Sequence, residues 1–192
     1  GRSQSQIRSG LETACPRTMN RLGDGANEAV AEFLASEQLE RSPLGKRFAD
    51  WAHGSLSREL ADLASLEAAL AHPLPADSEA LALLGSGQGA EEVRLDASVV
   101  LLELEHDALE DPAGPLERLD EPLLIACRST GDGEVELAEL EPHVYDALRE
   151  LATATQGRPA ASLKLDSETL SALRAHGLVV PQRWAVRKAT AP

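Results

Sequence analysis

Cysteine, aromatic residues and long hydrophobic runs are all scarce in this chain of 192 residues. Its two cysteines, Cys15 and Cys127, lie far apart and make neither a CxxC pair nor a zinc-ligand spacing. Cys127 follows the apolar run Leu123–Ala126 and reads as a small buried hydrophobe, whereas Cys15 sits in a polar stretch and its role stays open. With aromatics at 3%, the core has to come from Leu, Ala and Val. Leu and Ala are strong helix formers, so a mainly helical protein is expected. A hydrophobic content of 43% is enough for a packed core and argues against global disorder. No apolar run approaches the roughly 18 residues of a membrane span, and none has the shape of a secretory signal. The expected location is cytoplasmic.

Catalytic signatures are missing too. There is no GxSxG, no P-loop and no HExxH. Gly85–Gly89 is glycine-rich, but no Lys-Ser/Thr follows it, and Glu91 and Glu92 just beyond would repel phosphate. It reads as a turn. The five histidines, His53, His72, His106, His143 and His176, include no pair at a metal-ligand spacing. Glu105-His106-Asp107 is the only local cluster of candidate ligands, and a solvated charged turn explains it better. Acidic residues occur without apolar enclosure, so paired catalytic carboxylates cannot be argued. These absences leave a non-catalytic binding protein without a cofactor.

Positive charge is the last shortage. The net charge is −14, spread unevenly. From Gly1 to Glu121, 10 Lys and Arg face 23 Asp and Glu; from Pro122 to Pro192 the numbers are 8 and 9. The first part should repel phosphate backbones, while the second is near neutral with a basic end at Arg183, Arg187 and Lys188. General nucleic-acid binding is disfavoured.

What is present divides into a polar lead, a helical part and a mixed part. Residues 1–25 lack periodicity, and the only methionine is Met19. Residues 1–18 are therefore set aside as an added or upstream stretch, and 1–25 as a flexible segment. A helix is expected over about 27–40, with Ala29, Val30, Phe33 and Leu34 on one face. A second starts at Ser42-Pro43 and carries Leu44, Phe48 and Trp51 to His53-Gly54. A third is capped by Ser55 or Ser57 and carries Leu56, Leu60, Leu63, Leu66 and Leu70 at spacings of three and four. Glu67 shares that apolar face, either reaching solvent or a local arginine, or meeting a basic group on a partner. A shorter helix is expected over 77–84. Val93–Leu104 reads as one extended segment, and Asp111–Pro115 as a linker.

Beyond it, Pro122–Arg128, the turn Thr130–Gly133 and the alternating Glu134–Ala138 form a hairpin. Pro142 opens a helix with Val144, Tyr145, Leu148 and Leu151 on one face. Asp166 caps another that carries Leu170 and Leu173 to Gly177, before a short strand over 178–180. The expected fold is α+β and mainly α: a helical domain with an extended segment (26–115), then a winged-helix-like module (116–192).

Three segments together resemble the HvfC-type family, often labelled a putative DNA-binding domain. Ala61–Leu70 is similar to its "A-x-L-A-x-L-E" helix, and Val93–Leu104 to the extended stretch after its helical bundle. Pro122–Arg128, a turn and Val135–Leu151 resemble its "L-x-x-x-R" strand, hairpin and helix. The likeness spans roughly 49–180. The family's aromatic residues after the extended stretch are replaced here by Glu105–Leu109. Members are partners of multinuclear iron-dependent oxidases that modify ribosomally made peptides. The resemblance implies a heterodimer with such an oxidase, which holds the iron, and a C-terminal peptide-recognition element that captures the leader of a precursor peptide and presents its core.

Such capture needs an open strand edge beside a helix that offers pockets. The candidates are the strand with Leu124, Ile125, Cys127 and Arg128, whose edge lacks the charges that Glu134 and Glu136 give the other strand, and the helix with Leu170 and Arg174. On this reading Ile125→Pro would remove one docking donor. Core packing is the plain alternative for all six residues. A rival is a winged-helix transcription regulator touching phosphate through Lys164, Arg174 and Arg183, but Asp166 and Glu168 would put carboxylates where its recognition helix meets DNA. A structural adaptor without a peptide ligand is the third. The scatter of histidine and cysteine carries one prediction: the isolated chain holds no stoichiometric metal. Elemental analysis finding one iron or zinc per chain would overturn it.

Overall fold

The computed structural model describes residues 3–36, 42–71, 92–110, 114–130, 133–154 and 157–181. The chain opens with α1 (Gln4–Ala14), capped reciprocally by Ser3 and Gln6. After it come α2 (Pro16–Leu22), α3 (Ala26–Ser36), α4 (Leu44–Ser55) and α5 (Arg58–Ala71). The fold is α+β and mainly α, as expected. The residues set aside at the N-terminus are a correction. Ile7, Leu11, Ala14, Cys15 and Met19 are buried in one core with Val30, Phe33, Phe48, Ala61, Ala64 and Ala68. A chain starting at Met19 would lose α1, the start of α2 and the core residues Ile7, Leu11, Ala14 and Cys15. The polar face of α1 hid its buried stripe, because Ile7, Leu11 and Ala14 are only three apolar positions among serines and glutamines.

The three expected helices correspond to α3, α4 and α5. Ser42 does not cap; Pro43 takes the N-cap position of α4, with no side-chain hydrogen bond. Phe33, Phe48 and Trp51 form an aromatic cluster with ring centroids 5.4 to 5.8 Å apart. Small residues let the helices close in. A Cβ on Gly45 would sit 3.1 Å from the Ala14 methyl, so α4 approaches α1 and α5 through Gly45, Ala14 and Ala68.

The strands are β1 (Glu92–Leu95), β2 (Val99–His106), β3 (Arg118–Ser129), β4 (Val135–Glu139), β5 (Arg158–Pro159) and β6 (Val179–Pro181). Between them lie α6 (Pro142–Thr153) and α7 (Ser167–Ala175). One antiparallel sheet has the order β2-β3-β4 and the other β5-β1-β6. The single extended segment expected over 93–104 is two strands in different sheets. The break is a turn in which the buried Asp96 carboxylate accepts from the Ser98 N–H (2.9 Å) and hydroxyl (2.5 Å).

The expected division at 115/116 falls between β2 and β3, which pair from Val99 opposite Arg128 to His106 opposite Arg118. The stretch 111–115 therefore joins two strands of one sheet. The C-terminal order of hairpin, helix, helix and strand is as expected, but the last strand pairs with β1 rather than with the hairpin. Alternation along β2 and β3 gives the larger sheet two buried faces. Leu102, Leu104, Ile125 and Cys127 pack on Leu63, Leu66 and Ala69 of α5. Val99, Leu101 and Ala126 pack with Val144, Leu148 and Leu151 of α6 and Leu173 of α7. The expected helix over 77–84, the Gly85–Gly89 turn and Trp184 lie outside the described residues.

Two buried carboxylates on α5 join these layers. Glu67, 6% exposed, accepts from the backbone N–H of Arg17 (2.6 Å) and of Thr18 (2.9 Å) and from the Thr18 hydroxyl (2.7 Å). It caps α2 from a distant helix, where Cys15 supplies no side-chain cap. It neither reaches solvent nor waits for a partner's cation. Asp62, fully buried, accepts from the N–H groups of Glu105 (2.9 Å) and His106 (3.0 Å) and from His106 Nδ1 (2.9 Å), with Arg58 Nε 3.1 Å from its other oxygen. Glu105 and His106 thus end a strand instead of forming a solvated turn. Glu67→Ala would leave two N–H groups and a hydroxyl unpaired in the interior and should cost about 3 kcal/mol. Urea unfolding followed by circular dichroism measures it, and a loss no larger than that of an exposed control such as Glu28→Ala would refute this role.

Candidate functional site

The strand holding Leu124, Ile125, Cys127 and Arg128 is the middle one of its sheet. Ile125 lies opposite Leu102 on one side and Glu139 on the other, so its edge is paired twice. Ile125 and Cys127 are core residues at 1% exposure, and Leu170 packs against the α6–α7 core. The expected docking edge is therefore a correction: Ile125→Pro would break a central ladder, not a free one. Arg174 is half-buried in the last turn of α7. Of the six expected residues only Arg128 reaches the groove described next.

The open edge on this side of the sheet is β4, which no other strand pairs among the described residues. The hydrogen-bond phase tells which of its groups are free. Thr130 N–H donates to the Glu134 carbonyl, and Leu140 N–H donates to the Leu124 carbonyl, both at 2.8 Å. Antiparallel ladders alternate, so Glu136 and Ala138 point their backbone groups at β3, while Val135, Leu137 and Glu139 point theirs outward. Beside this edge runs a groove of about 810 Å³ between β4 and α7. Ala126, Ala138, Leu140, Ala172, Leu173 and Leu178 give it an apolar floor. Its charged lining is Arg128, Glu136, Glu139, Asp166 and Glu168, with His176.

Each wall has a local cause. Asp166 caps α7, its carboxylate accepting from the Thr169 N–H and hydroxyl, both at 2.8 Å. Those two bonds, the backbone one first, hold its carboxyl below the usual aspartate range. The cap thus stabilises α7 above the ordinary aspartate range and is lost as pH falls through the lowered value. Arg128, its side chain 11% exposed, lies 3.5 Å from Glu136 and flat against Gly177. Gly177 ends α7 with φ +65°, and a Cβ there would come within 2.6 Å of the guanidinium.

A smaller groove of about 400 Å³ lies at the other sheet edge, between β2 and the helices α4 and α5. It contains a serine and a histidine in contact, Ser65 Oγ and His53 Nε2 at 2.9 Å. Arg58 Nη1 sits 3.3 Å from His53 Nδ1, and a guanidinium only donates, so Nδ1 accepts and Nε2 carries the proton. Ser65 in turn donates to the Ala61 carbonyl at 2.9 Å. Protons run from Arg58 through His53 to Ser65, the wrong direction for histidine to act as base to that serine. Among the described residues no group of three or more His, Cys, Asp or Glu stands ready to hold a metal ion. Burial lifts the Cys15 thiol to about 12, helped by the Glu67 charge, and the Cys127 thiol to about 11, which leaves both as inert packing groups. No helix among the described residues is long and apolar enough to cross a membrane.

No protein-family model and no curated protein matches the chain. The groove residues escaped the sequence reading, although a signal for them was present. Leu123–Cys127 is a continuous apolar run, as in strands buried on both faces, while the next strand carries the charges of Glu134, Glu136 and Glu139, as edge strands do. Lack of guarding charge marked the centre of the sheet and not its free edge. The groove wall predicts its own weak point. Gly177→Ala combines left-handed strain with the Arg128 clash and should cost about 2 kcal/mol, measured as a lowered urea midpoint. A midpoint unchanged from wild type would show that the turn tolerates a side chain and that Arg128 is free to move.

Proposed function

We propose that the protein is a non-catalytic peptide-binding partner that takes an extended peptide as an added strand on β4, with alternate side chains in the groove against α7. The observation that carries this reading is an unpaired edge with outward backbone groups at Val135, Leu137 and Glu139, set beside an apolar groove. Leu137, 43% exposed, offers the incoming strand a further apolar contact. The resemblance of Ala61–Leu70, Val93–Leu104 and Pro122–Arg128 to the HvfC-type family extends the proposal: the peptide is the leader of a ribosomal precursor, and the partner is an iron-dependent oxidase that does the chemistry. The acidic helical part would then present a surface to a basic face of that enzyme. Against a winged-helix regulator stand the carboxylates Asp166 and Glu168 at the start of α7 and the net charge of −14.

Leu137→Pro tests the edge. Proline removes an outward N–H while sparing the bonds to β3, and edge strands tolerate it. With a fluorescein-labelled decapeptide of alternating valine and lysine as probe, loss of one backbone bond should weaken binding about fivefold or more. In the wild type the same peptide should slow hydrogen exchange at the Leu137 and Glu139 amides. If the variant, shown to be folded by circular dichroism, bound the peptide as tightly as wild type, strand addition on β4 would be wrong.

A further inference from the structure

We infer that the β4–α7 groove selects basic peptides: strands with apolar side chains for its floor and lysine or arginine beside Glu139 or Glu168. This rests on the docking reading above and adds the chemistry of the ligand. In the lining of the groove Arg128 is the lone arginine or lysine against four carboxylates. Two of the four are already engaged. Glu136 lies 3.5 Å from Arg128, and Asp166 is held by the N–H and hydroxyl of Thr169. Glu139 and Glu168 make no ion pair among the described residues, and both are exposed.

These two flank an incoming strand from different sides. Glu139 lies opposite Ile125, whose side chain faces α5, so Glu139 lies on the α5 face of the sheet edge. Glu168 is in the first turn of α7, on the other wall. A strand added to β4 projects alternate side chains to the two faces. Each set of side chains therefore meets one uncompensated carboxylate. Between them, Ala126, Ala138, Leu140, Leu173 and Leu178 accept only apolar groups. Carboxylates on an added strand would meet repulsion on whichever side they fall, and like charges directly opposite destabilise strand pairs.

Three fluorescein-labelled decapeptides test this by anisotropy: valine alternating with lysine, with glutamine and with glutamate. The full chain should bind the lysine peptide about tenfold more tightly than the glutamine peptide at low salt, with the gap closing as salt screens it. The double substitution Glu139→Gln with Glu168→Gln should remove most of that preference. Glu28→Gln with Glu32→Gln, the same charge change on α3, should leave it intact. Equal loss in both double variants would mean that net charge alone attracts the lysine peptide, and would overturn the inference. Equal binding of all three peptides by wild type would overturn it too, while leaving strand addition standing. If no peptide bound, strand addition itself would fall, and charge selection with it.

Discussion

Glu67 and Asp62 do for this fold what a hydrophobic core alone cannot: they fix which groups face each other. A buried carboxylate is costly unless its oxygens are engaged, and both are engaged mainly by backbone N–H groups. Glu67 holds the start of α2 against α5, and Asp62 holds the end of β2 against the same helix. They lie five residues apart on a helix whose positions from Ala61 to Ala64 and Leu66 to Ala69 are all buried. Apolar surfaces slide and repack at small cost, whereas a carboxylate placed on two N–H groups has one good position. Through α5 the α1–α2 corner, the helical core and the larger sheet share one frame.

That frame explains why the groove lies where it does. β3 is saturated, with a strand on each side and a helix packed against each face. The sheet can therefore offer only its edges, β2 and β4. The β2 edge runs beside α4 and α5, where its groove is half the size and Lys46 is paired with Asp50 at 2.8 Å and Arg58 with Asp62 and Glu105. The β4 edge runs beside α7, a nine-residue helix that meets the core mainly through Leu173. A short helix with one deeply buried contact leaves space between itself and the sheet. Asp166 at its start and Gly177 at its end hold it in place without filling that space.

Much of this could be read from the chain, and the failures share a cause. Helices with a wide apolar stripe, α4 and α5, stand out because periodicity is a local property. So do the hairpin, the Asp166 cap and the Gly177 stop. Whatever depends on which distant segments meet does not stand out. Glu67 looked misplaced on its apolar face because the N–H groups that satisfy it are 49 and 50 positions away. The α1 segment looked dispensable because three apolar residues become a stripe only once α3 and α4 cover them. The Asp111–Pro115 stretch looked like a domain linker because turn residues mark a change of direction and say nothing of whether the flanking strands pair. For the site, the expected segment is a strand but lies in the middle of its sheet, and of the six expected residues Arg128 alone lines the groove beside β4.

An edge unpaired among the described residues is a hazard as well as the proposed site, and the two requirements meet in its glutamates. A second copy of this chain could pair β4 with β4, which would bring two glutamate-bearing edges onto one ladder. Like charges brought onto one ladder repel, so the edge is guarded against self-association by its glutamates, one of which, Glu139, is also proposed to receive a lysine or arginine. The net charge of −14 works in the same sense at longer range, holding copies apart and drawing basic chains in. Guarding with lysine would protect an edge equally well. Acidic guarding in an acidic protein protects it while leaving one class of strand, the basic one, free to add. On this view the glutamates of Val135–Glu139 describe both what the edge refuses and what it accepts.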